Sequence, residues 1–197
     1  MAGADWDLVR RAVALRPATR VSDPVSARAA VALVMRERAS GLELLFIRRA
    51  ELEHDPWSGH MGFPGGRAEP GETDLLTTAV RETMEETGLD LRGEAECLAP
   101  IDEIRALARG RPVDLAITPF VFRLQPLRDG SPSPEVVSLH WLSLDRLLDP
   151  GSRTTMEYEH EGTVVRLPCL DADGIVIWGL TYRMFDNFRL LLEAARA

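Results

Sequence analysis

The segment 65–89 constrains the fold more than any other, because an acidic helix follows directly on a pair of glycines. Apolar residues recur at helical spacing from 75 to 87, which predicts one amphipathic helix there. Glu82, Glu85 and Glu86 stand at i, i+3 and i+4, so these three side chains form a carboxylate cluster on one helix face. Like charges at this spacing repel each other, and a compensating positive charge is therefore expected.

Two local signals delimit this helix. Thr73 or Asp74 is suited to cap its first turn, and Gly88 stands where helices favour glycine at their end. The residues predicted to form its apolar face are Leu75, Leu76, Ala79, Val80, Thr83 and Met84.

The carboxylate cluster is unfavourable for an isolated helix but suits a hard divalent cation. Mg²⁺ prefers oxygen ligands in octahedral geometry and often completes its shell with substrate phosphates. The Gly65–Gly66 turn can bring a backbone carbonyl close to the cluster, because glycine has no side chain in the way. Arg81 adds a positive charge beside it. Together these features favour a metal site over a solvated acidic face.

The stretch GRAEPGETDLLTTAVRETMEETGL resembles the Nudix box, whose pattern is G-x5-E-x7-R-E-U-x-E-E-x-G-U with U apolar. In this chain the box spans about residues 66–89. Thr83 replaces the apolar residue after the Arg-Glu pair, and eight residues rather than seven separate Glu72 from Arg81. The positions that match are Gly66, Glu72, Arg81, Glu82, Glu85, Glu86, Gly88 and Leu89.

The longer spacing resembles the coenzyme A pyrophosphatase branch of the family, which has the same one-residue expansion. The upstream stretch LLFIRRAELEHDPWSGHMGFPGG is similar to that branch's signature, L-L-T-x-R-S-A and then R-x3-G-x3-F-P-G-G. Arg49 stands where the signature has serine, and Asp55 stands where it has arginine. With later segments included, the resemblance covers roughly residues 28–192. The upstream matches are Leu44, Leu45, Arg48, Ala50, Gly59, Phe63, Pro64, Gly65 and Gly66.

The resemblance implies an α+β fold, built as an α/β/α sandwich with a mixed central sheet. It also implies hydrolysis of a phosphoanhydride bond in a nucleoside diphosphate linked to another group, with Mg²⁺ or Mn²⁺ as cofactor. The first hypothesis for the substrate is coenzyme A or an acyl derivative, cleaved to 3′,5′-ADP and (acyl)phosphopantetheine. Asp55 favours a second hypothesis, which is ADP-ribose, NADH or a dinucleoside polyphosphate. A third, from another class, is a catalytically silent Nudix module that senses a nucleotide.

The resemblance also assigns roles to residues of the box. The carboxylate cluster would hold the metal, and the carbonyl of Gly66 would be a further ligand. Arg81 and Glu72 would brace the loop and the helix by an ion pair. A general base must also exist, and the choice stays open between Glu85 in the cluster and Glu135 in a loop outside the box.

Several residues upstream of the box are candidates for substrate contacts. Arg48 and Arg49 end an apolar strand and are suited to clamp phosphates, although strand-end arginines in solvent would show the same pattern. His54 and His60 flank the stretch DPWSG, where they would hydrogen-bond substrate or be ordinary loop histidines. Trp57 is suited either to stack on a base or to pack against the protein.

The chain of 197 residues is expected to form one domain, with residues 1–20 as an N-terminal helical extension. Apolar runs predict strands at 28–38, 42–49, 61–63, 96–106, 113–124 and 136–144, and a hairpin over 154–170 that turns at Glu161–Gly162. Next, the stretch 175–195 is expected to begin as a strand and become a terminal helix, where Trp178 and Tyr182 line a pocket or join the core. The helix residues predicted to point inward are Trp6, Val9, Val13 and Leu15 near the start, and Leu180, Met184, Phe188 and Leu191 near the end.

Composition limits the partners. The net charge of −8 argues against nucleic acid, which needs a basic face, but a small anionic ligand remains compatible with local arginines or a bound cation. There is no apolar run of about 18 residues, so no membrane span is expected, and the N-terminus does not resemble a secretory signal. Cys97 and Cys169 are predicted to be buried reduced thiols, which suits a cytoplasmic protein. On family grounds a homodimer is expected.

Overall fold

The computed structural model describes residues 3–51, 58–108, 111–160 and 162–197. In this part of the chain the helices are α1 (Trp6–Ala14), α2 (Leu75–Thr87), α3 (Leu91–Glu94), α4 (Leu144–Leu148) and α5 (Gly179–Arg196). The strands are β1 (Ala27–Arg38), β2 (Gly41–Arg49), β3 (Met61–Gly62), β4 (Gly65–Arg67), β5 (Ala95–Pro100), β6 (Ile104–Ala108), β7 (Arg111–Leu124), β8 (Val136–Ser143), β9 (Arg153–His160), β10 (Thr163–Ala172) and β11 (Ile175–Trp178).

Strand β1 is the centre of an eight-stranded sheet in the order β3-β2-β1-β7-β5, with β8 added on β2, β4 on β1 and β6 on β7. It runs parallel to β7 and antiparallel to β2 and β4. Eight consecutive residues of β1 are buried, as expected for a strand that is covered on both faces. The prediction of a mixed central sheet is confirmed.

The two faces of the sheet belong to different apolar cores. Ala32 and Val34 of β1 pack in a cluster with Ala79 of α2. Leu33 and Met35 point the other way, because side chains alternate along a strand, and they join a larger cluster that includes residues of α1, α4 and α5. The sheet therefore lies between α2 on one side and the terminal helices on the other, which confirms the α/β/α arrangement.

A second, three-stranded antiparallel sheet has the order β11-β10-β9 and leads directly into α5. Its first two strands form the predicted hairpin, in which Thr163 pairs with His160, whereas Glu161 lies outside the described residues. The predicted change from strand to helix occurs at Gly179. Met184 and Phe188 are buried as predicted, and Leu180 and Leu191 are partly buried against the same core.

Two predictions of strands and turns were wrong. Gly65 and Gly66 were predicted to form a turn, but residues 65–67 form β4 because their backbone pairs with β1. The single strand predicted over 96–106 is divided into β5 and β6, which both pair with β7. Between them, Asp102 and Glu103 turn aside to accept hydrogen bonds from the backbone N–H groups of residues 19 and 21.

Some side-chain burial also differs from the prediction. Leu15 is 49% exposed because α1 ends at residue 14, and Leu8 and Ala12 fill the buried face instead. Met84 of α2 is 50% exposed, since the sheet-facing stripe of this helix passes through threonines rather than through that position. Cys169 is buried as predicted, but Cys97 is exposed on β5, and both are free thiols.

Helix α1 joins the same apolar cluster as α5. The organisation into one domain, with residues 1–20 as an extension, stays a prediction. Among the helices of the described residues, none combines the length and the apolarity that crossing a membrane requires.

Candidate active site

Strand β4 lies unusually close to its neighbours, and two glycines make this possible. A Cβ atom on Gly65 would lie 2.3 Å from the carbonyl oxygen of Ala30 and 2.5 Å from the Cα of Val31. Gly65 also has a φ of +150°, which other residues rarely adopt. A Cβ on Gly66 would lie 2.4 Å from the carboxyl carbon of Glu82. The glycine pair thus lets this carboxylate rest directly against the backbone.

Helix α2 presents its carboxylates at a defined angle because its ends and its buried side are well fixed. Of the two candidate caps it is Asp74 whose side chain accepts from the N–H of Leu76 at 3.0 Å, and Gly88 ends the helix in the left-handed conformation. Thr83 is fully buried, and its hydroxyl donates to the carbonyl of Ala79 at 2.7 Å. That hydrogen bond explains how threonine occupies a position where the box pattern has an apolar residue.

Arg81 and Glu72 form a bidentate ion pair, which is the brace between the loop and α2. Arg81 Nε donates to Glu72 Oε1 at 3.1 Å and Nη2 donates to Glu72 Oε2 at 3.2 Å. Nη2 also donates to the carbonyl of Arg67 in β4 at 3.2 Å. The hydrogen bonds from Arg81 and from the N–H of Glu69 lower the pKa of Glu72 to about 2. The extra residue between Glu72 and Arg81 therefore does not prevent their pairing.

Arg81 also connects the brace to the carboxylate cluster. Its Nη1 donates to Glu82 Oε1 at 2.9 Å and to Glu85 Oε2 at 3.2 Å. Burial raises the pKa of Glu82, and Arg81 offsets part of that effect. Glu85 is 58% exposed on the side chain and faces solvent. One guanidinium therefore contacts two of the three carboxylates in the cluster.

Glu86 is the buried member of the cluster, with only 5% of the residue exposed. Its Oε2 accepts from the N–H of Gly65 at 2.8 Å, and its Oε1 lies 3.7 Å from Nη1 of Arg49. Burial is the main reason that the pKa of Glu86 is raised to about 7, and the charges of Glu82 and Glu135 raise it further. Negative charge is thus crowded at this end of the helix.

Glu135 reaches the cluster from a loop that is fixed to the end of α2. The N–H of Ser131 donates to the carbonyl of Thr87 at 2.7 Å, and the N–H of Ser133 donates to that of Glu86 at 3.0 Å. The carbonyl of Glu135 accepts from Ala50 at 2.9 Å, just after β2. The side chain of Glu135 is exposed, which leaves it accessible to a ligand.

A buried arginine anchors the other end of this loop. Arg36 of β1 is 3% exposed, and its Nη1 donates to Asp129 Oδ1 at 2.6 Å and to the carbonyl of Arg128 at 2.8 Å. Its guanidinium also lies 3.9 Å from the ring centroid of Trp141. The sequence analysis did not identify Arg36 and Asp129. The available signal was one arginine within the apolar run of β1, which has to find partners if it is buried.

A cleft of about 440 Å³ lies on the other side of β4, toward α5. Arg49 and His60 line it, and the ring of His60 packs at a tilt against that of Trp178, with centroids 4.4 Å apart. Trp178 is thus a pocket residue, whereas Tyr182 packs against the core. Arg48 is exposed and is not among the described residues that line the cleft. His54, Asp55 and Trp57 lie outside the described residues.

The NUDIX domain family model matches residues 26–164, which is most of the chain. The chain belongs to the Nudix hydrolase family. The predicted resemblance to the family is confirmed, and residues 66–89 are its Nudix box.

The curated relatives include proteins that are named coenzyme A diphosphatases, two of which are described here. Peroxisomal coenzyme A diphosphatase NUDT7 of Mus musculus is 39% identical over 72 residues, or 36% of this chain and 30% of the relative. Mitochondrial coenzyme A diphosphatase NUDT8 of Homo sapiens is 29% identical over 157 residues, or 77% of this chain and 63% of the relative. The chain thus spans less than two thirds of the length of either relative.

Among solved structures, a MutT/nudix family protein from Enterococcus faecalis superposes with a TM-score of 0.53 at 17% identity, covering 97% of this chain and 68% of that one. At this identity the likeness concerns the fold alone. It agrees with the mixed sheet and flanking helices described above.

The fit of a divalent cation to this Nudix site can be judged from its donors. In the described residues, no three His, Cys, Asp or Glu side chains are arranged to hold a metal ion. The three carboxylates do not converge on one point, because Glu82 and Glu85 contact Arg81 while Glu86 accepts from the N–H of Gly65. The donor chemistry nevertheless fits, because Glu82 lies against Gly66, Glu86 contacts the backbone of Gly65, and Glu85 stands on the same helix face.

Proposed function

We propose that this chain hydrolyses a phosphoanhydride bond in a nucleoside diphosphate linked to another group. The observation that carries the proposal is that two members of the carboxylate cluster, Glu82 and Glu86, lie directly against the Gly65–Gly66 backbone, and that Glu86 is beside Arg49. Three acidic groups and one arginine at the mouth of a cleft are suited to receive a cation together with a diphosphate. Without a ligand, Arg81 and Arg49 are the cations that the structure shows against these carboxylates.

Members of this family typically use a divalent metal ion. In this chain the carboxylate cluster and the carbonyl of Gly66 would hold it. When bound, such a cation supplies charge neutralisation of the phosphate oxygens and a more acidic water. Glu82 and Glu85, which now accept hydrogen bonds from Arg81, would turn to the ion. Arg81 stays in place through its bidentate pair with Glu72.

The residues of the chain supply position and proton transfer. A water molecule attacks phosphorus, the anhydride P–O bond breaks, and the leaving phosphate takes the electron pair. The proton of the water passes to a carboxylate oxygen, on Glu85 of the helix or on Glu135 of the 129–135 loop. Arg49 lies between the cluster and the cleft, where it neutralises a second phosphate.

For the group attached to the diphosphate, the first candidate is coenzyme A or an acyl derivative. The support is the similarity to the mouse and human coenzyme A diphosphatases and the expanded spacing in the box. The second candidate is ADP-ribose, NADH or a dinucleoside polyphosphate, and Asp55 in place of the signature arginine favours it.

Product analysis tests the proposal directly. The purified chain is incubated with Mg²⁺ or Mn²⁺ and separately with coenzyme A, acetyl-coenzyme A, ADP-ribose, NADH and diadenosine polyphosphates. Fastest release of 3′,5′-ADP and phosphopantetheine supports coenzyme A as the substrate. Faster hydrolysis of another compound would change the assigned substrate but would still support phosphoanhydride hydrolysis. No turnover of any compound, together with nucleotide binding, would support the silent sensor instead.

The two candidate bases can be separated by Glu85→Gln and Glu135→Gln, with Glu159→Gln on exposed β9 as the control. The base variant should lose the acidic limb of the pH–rate profile as well as turnover, because the group that titrates there has been removed. The other variant should keep that limb. If both variants keep near-normal turnover, neither carboxylate is the base.

The remaining predictions about partners and location belong to this proposal. We expect a small-molecule nucleotide substrate, no nucleic acid partner, a homodimer and a cytoplasmic location. Light scattering of the purified chain checks the dimer.

A further inference from the structure

Arg49 contacts the buried carboxylate of the cluster and lines the cleft at the same time. Its Nη1 lies 3.7 Å from Oε1 of Glu86, and the residue is part of the cleft wall beside β4. The side chain of Arg49 is 32% exposed and that of Glu86 is 6% exposed, so a ligand has access to the guanidinium while the carboxylate is largely covered. The coenzyme A pyrophosphatase signature has serine at this position, so the arginine is a departure of this chain from that pattern.

The backbone around Arg49 fixes the direction of its side chain. Its N–H donates to the carbonyl of His60 at 3.1 Å, and the residue pairs with Val136 of β8. The side chain passes over Gly62 of β3, where a Cβ atom would lie 3.8 Å from Cδ of Arg49. The guanidinium therefore approaches Glu86 from a strand, and it can be removed without a change in the helix that carries the cluster.

The two arginines that contact the cluster are held differently. Arg81 donates to two of the carboxylates at 2.9 and 3.2 Å, and its bidentate pair with Glu72 keeps it in place. The contact of Arg49 with Glu86 is longer, at 3.7 Å, which is beyond hydrogen-bonding distance. A contact of that length to a partly exposed arginine contributes little to stability. Arg49 is therefore easier to displace than Arg81 when another positive charge arrives.

We propose that Arg49 is the counter-ion of Glu86 in the ligand-free protein, that it yields this carboxylate to a divalent cation, and that it then binds the diphosphate. A guanidinium and a divalent cation repel each other beside one carboxylate, so the two compete for Glu86. The displaced guanidinium stays at the cleft, where it is suited to a bidentate contact with phosphate. Arg49 thus couples the two binding events, each ligand favouring the other. This inference rests on the proposed function for the positions of the cation and the diphosphate.

Binding of Mn²⁺ without any phosphate ligand tests the competition. Electron paramagnetic resonance measures the free ion at pH 8, above the pKa of about 7 to which burial raises Glu86, so that this carboxylate is ionised. Arg49→Ser should bind Mn²⁺ about fivefold more tightly than the wild type, because a competing charge is gone. Arg49→Lys keeps a positive charge and should bind Mn²⁺ within about twofold of the wild type.

Arg48→Ser is the matched control, since it removes the same charge one position earlier on β2. Arg48 is exposed and is not among the described residues that line the cleft, so this variant should keep the wild-type affinity for Mn²⁺. Equal tightening in both serine variants would indicate a general effect of net charge and would overturn the inference. An unchanged affinity in Arg49→Ser would overturn it as well.

Binding of methylenediphosphonate, a diphosphate analogue with a stable bridge, tests the release of Arg49. At saturating Mn²⁺ the wild type should bind this probe about tenfold more tightly than Arg49→Ser, because the variant lacks the released guanidinium. In EDTA the two proteins should differ much less, since Arg49 then stays with Glu86. Calorimetry measures both affinities. A difference of the same size in Mn²⁺ and in EDTA would mean that the cation does not release Arg49, and would contradict the coupling.

These binding measurements separate the inference from the proposed function. Tighter Mn²⁺ binding by Arg49→Ser, with no turnover of any diphosphate by the wild type, would keep the counter-ion and refute hydrolysis. Turnover by the wild type, with the same affinity for Mn²⁺ in both proteins, would refute the counter-ion and keep hydrolysis.

Discussion

Two carboxylates of the same Nudix box are in opposite electrostatic states. The pKa of Glu72 is lowered to about 2, chiefly by its hydrogen bonds from Arg81. The pKa of Glu86 is raised to about 7, chiefly by burial. Glu72 has a bidentate guanidinium, a threonine hydroxyl and a backbone N–H as partners. Glu86 has one backbone N–H and an arginine at 3.7 Å.

The difference separates structure from function within one motif. At the brace the charges are matched, so that end of the box is already complete and holds β4 to α2. At the cluster the negative charge exceeds its local partners, so that end is stabilised only when positive charge or a proton arrives. Groups with pKa values raised by burial and like charges are typical of functional sites.

Removal of Arg81 should have the largest effect, because this residue serves both ends. Arg81→Met keeps much of the side-chain volume but leaves Glu72 and Glu82 without their guanidinium. We expect a loss of about 3 kcal/mol in the free energy of unfolding, as for other broken, largely buried ion pairs. Turnover should fall with it. Urea denaturation measures the first effect and product formation the second.

The control is Arg166→Met, since Arg166 is exposed on β10 and distant from the box. Arg166→Met should change neither the free energy of unfolding nor the turnover. Full stability of Arg81→Met would show that the brace is not a structural element.

Glu86→Gln should produce opposite changes in stability and activity. Because the pKa of Glu86 is raised from 4.5 to about 7, the wild type loses stability as the pH rises through that window and carries the full cost above it. The variant should be more stable than the wild type at pH 8 in EDTA, by at most about 3 kcal/mol. Its metal-dependent turnover should fall by about 10²-fold.

Thermal unfolding at pH 8 and at pH 4.5, with EDTA throughout, checks the stability effect. The difference between the proteins should vanish at the lower pH. If Glu86→Gln is less stable than the wild type at pH 8, the attraction between Arg49 and ionised Glu86 exceeds the cost of burying that charge. The cluster would then have no excess of negative charge.

Sequence reasoning was most successful where local rules and the box pattern agree. The cap at Asp74 was one of two candidates, the end at Gly88 was predicted, and Arg81 and Glu72 lie in contact, because caps and short loops are determined by neighbours in sequence. Family membership followed from the same residues, whose spacing is specific. The α/β/α fold came with the family rather than from periodicity.

The sequence-based predictions were wrong where the local structure depends on segments that are distant in sequence. Nothing local shows that Gly65 and Gly66 pair with β1, since a Pro-Gly-Gly stretch has the composition of a turn. Met84 has the right helical spacing but the sheet covers the adjacent stripe. Arg36 could not be connected to Asp129 without the fold, because 93 positions separate them.

Glu72→Gln should cause a smaller loss of stability than the change at Arg81. In the wild type the pKa of Glu72 is lowered to about 2, so the ionised carboxylate stabilises the folded state above its ordinary pKa of 4.5. This contribution is lost as the pH falls toward 2. We expect the variant to lose about 1 kcal/mol at pH 7, because an amide keeps some of the hydrogen bonds. The difference from the wild type should shrink between pH 4.5 and 2. A difference independent of pH would mean that shape rather than charge makes the brace.

Asp129→Asn should have the smallest effect, and it tests whether the cluster depends on a third region. Asp129 accepts from buried Arg36 and from Arg38 and is the start of the 129–135 loop. Weakening that anchor should loosen the loop without disturbing the helix, so amide hydrogen exchange should become faster at Ser131 and Ser133. Turnover should fall a few-fold in kcat with KM unchanged, because Glu135 stays present but is held less firmly.

Asp7→Asn, exposed on α1, is the control and should leave both exchange and kcat unaltered. Faster exchange with full kcat would show that the loop position does not matter for catalysis, which would favour Glu85 as the base. A loss in kcat that matches the loss in Glu135→Gln would instead place the loop carboxylate at the reacting water. The smallest expected effect therefore bears on the question that the sequence left open, because only the fold connects Arg36 to the carboxylates.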